Sequence, residues 1–562
     1  MIIRKMTFAI TLLQVFFSYR CFGNDDTCRT YFTKPIEVVC NYPYDDITKW
    51  AITCRVWGLL KYFHPNVTAG KFDWDQVLID RLPMISKAQT PEHVNTELMR
   101  MIRTAGEYKI SIDATWNDSL NMNVNLCWLD HSFVNDSIRQ ALKEIASLPV
   151  TQTSYYANPC DMESYSYISI TNEKKYDKEL ILHVEYRLLS LFRYWNVIYY
   201  FFPYKYLMDQ SWDTTLLEFI PRFMTLTDMP AYNQNVRQLV LRLNDGHATS
   251  IPSMTIYDIL KFNYITTIDS LMVIKTSPEG SLLERGDIIL SFNGRDIRSI
   301  RDSMASLIPS SNKNFTNNAV NGWMYWSIIN GCELTVMRNY QEIAINENKK
   351  TLPNDSKYSP LFRKLLQDIA YVNLEVPKES EIPDLMDSIK NCRGIIFDLR
   401  NYPKNMGDNW NYMRYISPTQ EICYALSTLV DLSHPGAFYK YYCISKCPDD
   451  LWPGSYTYKG KIVVLVNSAT VSAAESLAME FRLHGSTLIG TTTAGANGNI
   501  VPFSLPGNIN TYYSGIGFYY PDGTQMQRTG IIPDIEVYPT MDDILAGRDE
   551  ILEAAIKFIN SE

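Results

Sequence analysis

The sequence predicts a multidomain α+β protein: a helical N-terminal half with an internal repeat, a small β domain, and a C-terminal α/β layer. Three observations carry this. One aromatic-rich helical pattern occurs twice at a fixed offset. A turn-rich segment of short apolar strands follows it. Buried-type strands then alternate with amphipathic helices to the end of the chain, the pattern of a parallel sheet flanked by helices.

The chain has 562 residues, 46% hydrophobic and 20% charged, a balance typical of ordinary globular structure. The net charge of -9 argues against nucleic acid as a partner, because phosphate binding needs a basic face. The first 23 residues read as an export signal. "MIIRK" is a positive start, "MTFAITLLQVFFSY" an apolar run too short to span a bilayer, and "CFGN" offers cleavage after Gly23. No later apolar run reaches membrane-spanning length, so the mature chain is expected to be soluble, periplasmic or envelope-associated, or secreted. Of eleven cysteines, ten follow the signal. Cys28 with Cys40 and Cys127 with Cys160 are candidate disulfides, the alternative being buried free thiols. Cys443 and Cys447 lack a second pair at metal-ligand spacing, so no metal site and no cofactor are expected.

Residues 24–175 and 176–252 are expected to be two related helical units. Trp57, Pro65, Trp74, Asp75 and Pro83 recur as Trp195, Pro203, Trp212, Asp213 and Pro221, each 138 residues on. Each copy reads as a helix, a turn at Pro, and a second helix starting near Trp-Asp. The aromatics read as core, and so does His64, whose counterpart is Phe202. The second unit ends in "LNDGHA", which breaks the helix and leaves His247 on a turn that can face a cleft. Residues 253–350 form the expected small β domain, in which "GDIILSFNG" resembles the strand and turn of a PDZ domain, a peptide-binding module. "SNKNFTNNAVNG" reads as a loop.

In residues 360–562, "IAYVNLE", "RGIIFDLRN", "KIVVLVN" and "STLIG" read as strands and "IPDLMDSIKNC" as a helix. A terminal helix spans 549–559. "SATVSAAESLAMEF" holds Ser468, Ser472 and Ser476. "SAAE" from Ser472 fits a helix-capping box, with the helix running from Ala473 to about Leu483 and stopping at Gly485. It equally fits a nucleophile. A serine between a buried parallel strand and a helix start projects from the carboxyl edge of the sheet, where the first-turn N–H groups favour an anion. Ser472 is the best placed of the three.

The segment "VLVNSATVSAAESLAMEFRLHGSTLIGTTTAGANGN" resembles the nucleophile region of the C-terminal processing and tricorn-core serine peptidases. "RGIIFDLRNYP", the PDZ-like segment, "LNDGHA" and "YYPDGTQMQRTGIIPDIEV" extend the resemblance over about 240–562. "VWGLLKYFHP" resembles the N-terminal part of exported bacterial, tail-specific members. The resemblance implies a ClpP/crotonase-like core and a peptide or protein substrate. It implies Ser472 as nucleophile and, in the histidine-using branch, His247 as base. Several positions depart from the family pattern. Ala496 replaces the lysine of the Ser–Lys branch, and Gly246 and Gln527 stand where the tricorn pattern has serine and glutamate. Asp245, Glu475 or Gln527 are the candidate orienting groups. Ala473 and the Lys404–Asn405 turn are the candidate oxyanion donors, although glycines are usual at that turn. An exported serine endopeptidase is the leading reading. A catalytically silent peptide-binding protein, or a carrier of an apolar small molecule, are the rivals on the same scaffold.

Overall fold

The computed structural model describes residues 46–108, 123–150, 154–161, 166–250, 264–277, 280–349, 360–365, 368–403, 410–452 and 456–561. The expected signal segment, Cys28, Cys40, Lys404 and Asn405 lie outside them.

The repeat is built from the helices Asp46–Phe63, Trp74–Lys87 and Pro91–Thr104, and from Val184–Phe201, Trp212–Thr225 and Met229–Leu241. In each copy two indoles lock the first two helices reciprocally. Trp57 Nε1 donates to the Trp74 carbonyl and Trp74 Nε1 to that of Trp57, at 2.9 and 3.1 Å. Trp195 and Trp212 do the same at 2.9 and 3.0 Å. Buried indole N–H groups need such acceptors, which explains why tryptophan recurs at these positions. The copies also pair with each other across a pseudo-two-fold axis. Arg55 Nη2 meets Asp213 Oδ1 at 2.8 Å, and the equivalent Arg193 Nη2 meets Asp75 Oδ2 at 2.5 Å. At the axis a Cβ on Gly58 would overlap Asn196, whose side chain donates to the carbonyls of Cys54 and Phe192. Two features of this half were not expected. An antiparallel hairpin, Ala157–Asp161 with Ser166–Ile170, interrupts the helices. Cys160 lies on that hairpin opposite Tyr167 and is a free thiol, while Cys127 is disulfide-bonded. The Cys127–Cys160 pairing is therefore overturned.

The small domain is an antiparallel sheet ordered Ile265–Ile268, Leu271–Ile274, Ile288–Phe292, Cys332–Arg338, Gln341–Glu347. At the tight turn after Ile288–Phe292, Asn293 and Gly294 both take positive φ (47° and 73°), which is why Asn-Gly stands there. "SNKNFTNNAVNG" is not a loop. Asn312 caps the helix Lys313–Ile329, its side chain accepting from Phe315 N. Phe315, Ala319 and Val320 face the core, and the polar run is the helix's other face. Asparagine's weak helix propensity misled the reading, and burial of the apolar stripe overrode it.

The C-terminal layer is a sheet ordered Ile535–Glu536, Thr487–Gly490, Lys461–Val466, Gly394–Asp398, Ile369–Asn373, all parallel, with Arg363–Leu365 antiparallel at the edge. The central strands are apolar throughout because both faces are covered. The helices Ile382–Ile389 and Ala473–Leu483 lie against one face and Glu550–Asn560 against the other. A separate hairpin, Ile500–Leu505 with Ile509–Ser514, reaches across to the helical repeat. Arg193 donates to Ser504 O, Tyr232 to Pro506 O, and Tyr512 N to Thr249 O. These ties bring the end of the hairpin beside the turn that carries His247.

Candidate active site

The strand Lys461–Val466 ends in a turn fastened at three points. Asn467 Oδ1 accepts from Ala469 N, Thr470 Oγ1 accepts from Asn467 N, and that hydroxyl donates to Leu399 O on the neighbouring strand's end. The turn delivers Ser472 at φ 57°, ψ -124°. A non-glycine residue adopts such a conformation at a cost of about 1–3 kcal/mol. A strained strand-to-helix turn also presents the nucleophilic serine of α/β-hydrolases. The strain is held by Ser472 N donating to Ala496 O at 2.8 Å. The helix Ala473–Leu483 starts immediately after.

The three serines have different surroundings. Ser476 is buried and accepts from Asn497 Nδ2 at 2.8 Å. Ser468 lies in the turn. Ser472 is 8% exposed, and its hydroxyl makes no cap hydrogen bond of normal geometry, although it faces the first turn. The expected capping box is in place: the Ser472 side chain faces the Glu475 N–H, and Glu475 Oε2 accepts from Ser472 N at 3.3 Å. Ala473 N donates to no backbone acceptor among the described residues, as expected for a first-turn amide.

Glu475 does more than cap. It is fully buried and accepts from Gly495 N at 2.8 Å, Ala496 N at 3.0 Å and the Thr493 hydroxyl. It therefore ties the 493–496 segment to the serine turn. Burial pushes its carboxyl up to about 7 in spite of those donors. It does not touch the His247 ring.

His247 is buried and is held by a relay. Its Nδ1 lies 2.9 Å from Ser514 Oγ. The Ser514 hydroxyl donates to Asp245 Oδ1 at 2.9 Å. Asp245 Oδ2 accepts from Ser514 N, and Oδ1 also accepts from His247 N and Gln527 Nε2. A hydroxyl has one proton. Ser514 gives it to the carboxylate, so it accepts from His247, and Nδ1 must carry the hydrogen. The bare nitrogen is then Nε2, which has no hydrogen-bond partner among the described residues. The Ser472–His247 bond is accordingly not closed in this arrangement. Burial lowers the His247 pKa, and the Asp245 carboxylate acts in the opposite direction.

The three candidate orienting groups thus take different places. Asp245 backs the histidine through Ser514. Gln527 stands behind Asp245 and accepts from Asn497 N at 3.1 Å. Glu475 organises the serine side. Ser514 was missed because nothing in "TYYSG" marks it; only the fold brings it within reach of a residue 267 positions away. The departures at Gly246 and Ala496 are linked: a Cβ on Gly246 would stand 2.9 Å from Ala496 Cβ and 3.0 Å from Ser311 Oγ. A serine is sterically barred there, and Gly246 N donates instead to Ser311 Oγ. No group of three or more potential metal ligands occurs among the described residues.

Residues 368–537 match peptidase family S41. The match places a serine-type peptidase domain at these residues, and that family implies a peptide or protein substrate. Among solved structures, mature CPAF complexed with lactacystin is similar at 12% identity and TM-score 0.51, over 68% of this chain and 98% of that one. The photosystem II D1 C-terminal processing protease is similar at 15% identity and TM-score 0.37, over 63% and 93%. The tricorn protease is similar at 13% identity and TM-score 0.32, over 71% and 38%. No curated protein matches.

Proposed function

We propose that the protein is an exported serine endopeptidase in which Ser472 is the nucleophile and His247 its general base. The observation that carries this is the hydrogen count at Ser514. It leaves His247 with Nδ1 protonated and Nε2 bare, the tautomer a base needs to take a hydroxyl proton. Substrate binding closes the gap between Nε2 and the Ser472 hydroxyl, as catalytic hydrogen bonds often tighten only in the complex. Ser472 Oγ then attacks the scissile carbonyl as its proton passes to Nε2. The imidazolium so formed is stabilised by the Asp245 charge acting through Ser514. Collapse of the tetrahedral intermediate returns that proton to the leaving amine and leaves an acyl-enzyme, which water hydrolyses by the same route. Ala473 N–H is one oxyanion donor, and a backbone N–H of Lys404 or Asn405 is the second.

The small domain holds a segment of the peptide substrate in PDZ fashion, as an added strand, beside a ClpP/crotonase-like core. Export is supported by the signal-like N-terminus and by the disulfide at Cys127, a bond characteristic of oxidising compartments. The test is covalent labelling by a fluorophosphonate, with lactacystin as competitor because mature CPAF was crystallised with it. Labelling of the wild type that disappears in Ser472→Ala and His247→Ala is the expected result. A folded wild type that takes no label and cuts no peptide leaves Ser472 as a helix cap in a binding protein.

A further inference from the structure

The helix Lys313–Ile329 of the small domain begins at the seam between the histidine turn and the serine turn. Just before it, buried Ser311 meets the histidine side: its Oγ accepts at 2.8 Å from the N–H of Gly246, which directly precedes His247. The next residue meets the serine side. Asn312 Nδ2 donates to Thr493 O at 3.0 Å, while its Oδ1 caps the helix at Phe315 N. Thr493 belongs with Gly495 and Ala496 to the segment that binds the Glu475 carboxylate, and Glu475 in turn accepts from Ser472 N. Two consecutive side chains of the small domain thus grip both halves of the candidate pair.

Packing and backbone strain mark the same seam. Val471, directly before Ser472, lies in one apolar cluster with Ala494, Ala496, Phe315 and Ala319. The Phe315 ring would stand 3.3 Å from a Cβ on Gly246. Arg528, beside Gln527, takes a left-handed φ of 67°, a conformation that a long side chain keeps only where surrounding bonds impose it. Its N–H donates to Gly495 O at 2.8 Å. Its guanidinium donates to Ser311 O at 3.4 Å and to Asp209 Oδ1 at 2.8 Å. The small domain, the helical repeat and the serine side are therefore fastened to one another at Ser311.

We propose that Ser311 and Asn312 are positioning residues of the peptidase, which set the separation between His247 and Ser472. The proposal rests on the assignment of those two as base and nucleophile. Neither Ser311 nor Asn312 touches the reacting atoms. Ser311 fixes the backbone that carries the base, and Asn312 fixes the segment that Glu475 ties to the serine turn. The small domain then completes the catalytic pair, a role distinct from holding a peptide, and its effect extends to a reagent too small to reach the peptide-holding strand.

The test is the kinetics of inactivation by a small fluorophosphonate in the full chain, comparing wild type with Ser311→Ala, Asn312→Asp and Asn312→Ser. Both Asn312 variants keep an oxygen at the helix cap and lose the donor to Thr493, so they separate the grip from the cap. Melting is followed alongside. The expected result is a fall of about tenfold or more in the maximal inactivation rate, because small misplacements of reacting groups are costly, while the half-saturating reagent concentration stays within twofold and the variants remain folded. A role in folding alone would lower the melting temperature and leave the rate of the folded fraction unchanged; that result overturns the proposal. A labelled wild type with variants labelled at its rate removes the proposal and leaves the Ser472 and His247 assignment standing. A folded wild type that takes no label removes that assignment and the proposal with it. If Ser311→Ala does not fold, the two Asn312 variants decide.

Discussion

Replacing Ser514 by alanine tests the relay directly. The substitution removes one hydroxyl that serves two partners, the Nδ1–H of His247 and the Asp245 carboxylate, both at 2.9 Å. Asp245 keeps its bonds from Ser514 N, His247 N and Gln527, so the turn stays folded. His247 loses the acceptor that fixes its tautomer and the path by which the Asp245 charge reaches it. A hydrogen bond involving a charged group is worth about 1.5–3 kcal/mol. If that worth is realised only when the imidazolium forms, it appears wholly in the barrier. At 1.36 kcal/mol per tenfold, kcat/KM should fall by about 10- to 150-fold. The same factor should appear in the rate of inactivation by a fluorophosphonate, which needs no knowledge of the natural substrate. Ser514→Thr keeps the hydroxyl and should recover most of the rate. Melting measured alongside separates loss of catalysis from loss of fold. Labelling of folded Ser514→Ala at the wild-type rate would refute the relay and with it the assignment of the tautomer.

Further outcomes follow from the same geometry. Glu475→Gln places an amide donor where Glu475 meets only donors, so it should destabilise the chain by about 1–3 kcal/mol and slow labelling, read by denaturant melts and labelling rates. Burial lowers the His247 pKa, so the base remains unprotonated below its ordinary value, and the acid limb of the kcat/KM profile should fall below pH 6.5. His484 is lowered to about 4 by burial, and neither ring nitrogen has a partner. Its unfolded form takes up a proton near pH 6.5 and its folded form only near 4. That contribution to stability is present above 6.5 and lost as pH falls between these values, and His484→Gln should flatten this part of the curve. Asp213→Ala removes the carboxylate paired with buried Arg55 and should cost about 3–5 kcal/mol in chemical denaturation, whereas Asp75→Ala leaves Arg193 paired with Glu173 at 2.7 Å and should cost less.

Much of the C-terminal layer was legible in the sequence because its strands are apolar on both faces and its helices begin at marked caps. The helix from Ala473 to Leu483 and the strands at 394–398 and 461–466 stand where their patterns put them. The fivefold match at offset 138 revealed the repeat, since buried indoles and ion pairs constrain both copies alike. Local pattern failed where the deciding interaction was distant. The asparagine-rich stretch became a helix because its apolar face found a core. Cys160 entered a hairpin that carries no turn signature beyond ordinary polar residues. Ser514 lies far from both the serine and the histidine in sequence, and only the hairpin's attachment to the helical repeat brings it to Asp245. The motif positions pointed to the neighbourhood of the candidate site, whereas the relay behind His247 is a product of the fold.

The axis between the two helical units has a consequence for how the chain could have arisen. Two identical subunits meeting on a two-fold axis must place the same residue on both sides. Here one side is Gly58 and the other Asn196, and the glycine leaves the space that the amide fills. That single amide bonds the carbonyls of Cys54 and Phe192, which are equivalent positions on the two helices. A symmetric pair of asparagines would collide, and a symmetric pair of glycines would leave a hole. Only after the two copies were joined in one gene could they diverge at this point. The Gly58/Asn196 pair is thus a lock available to a fused duplication and closed to a symmetric pair of identical subunits, and it makes the two halves no longer interchangeable.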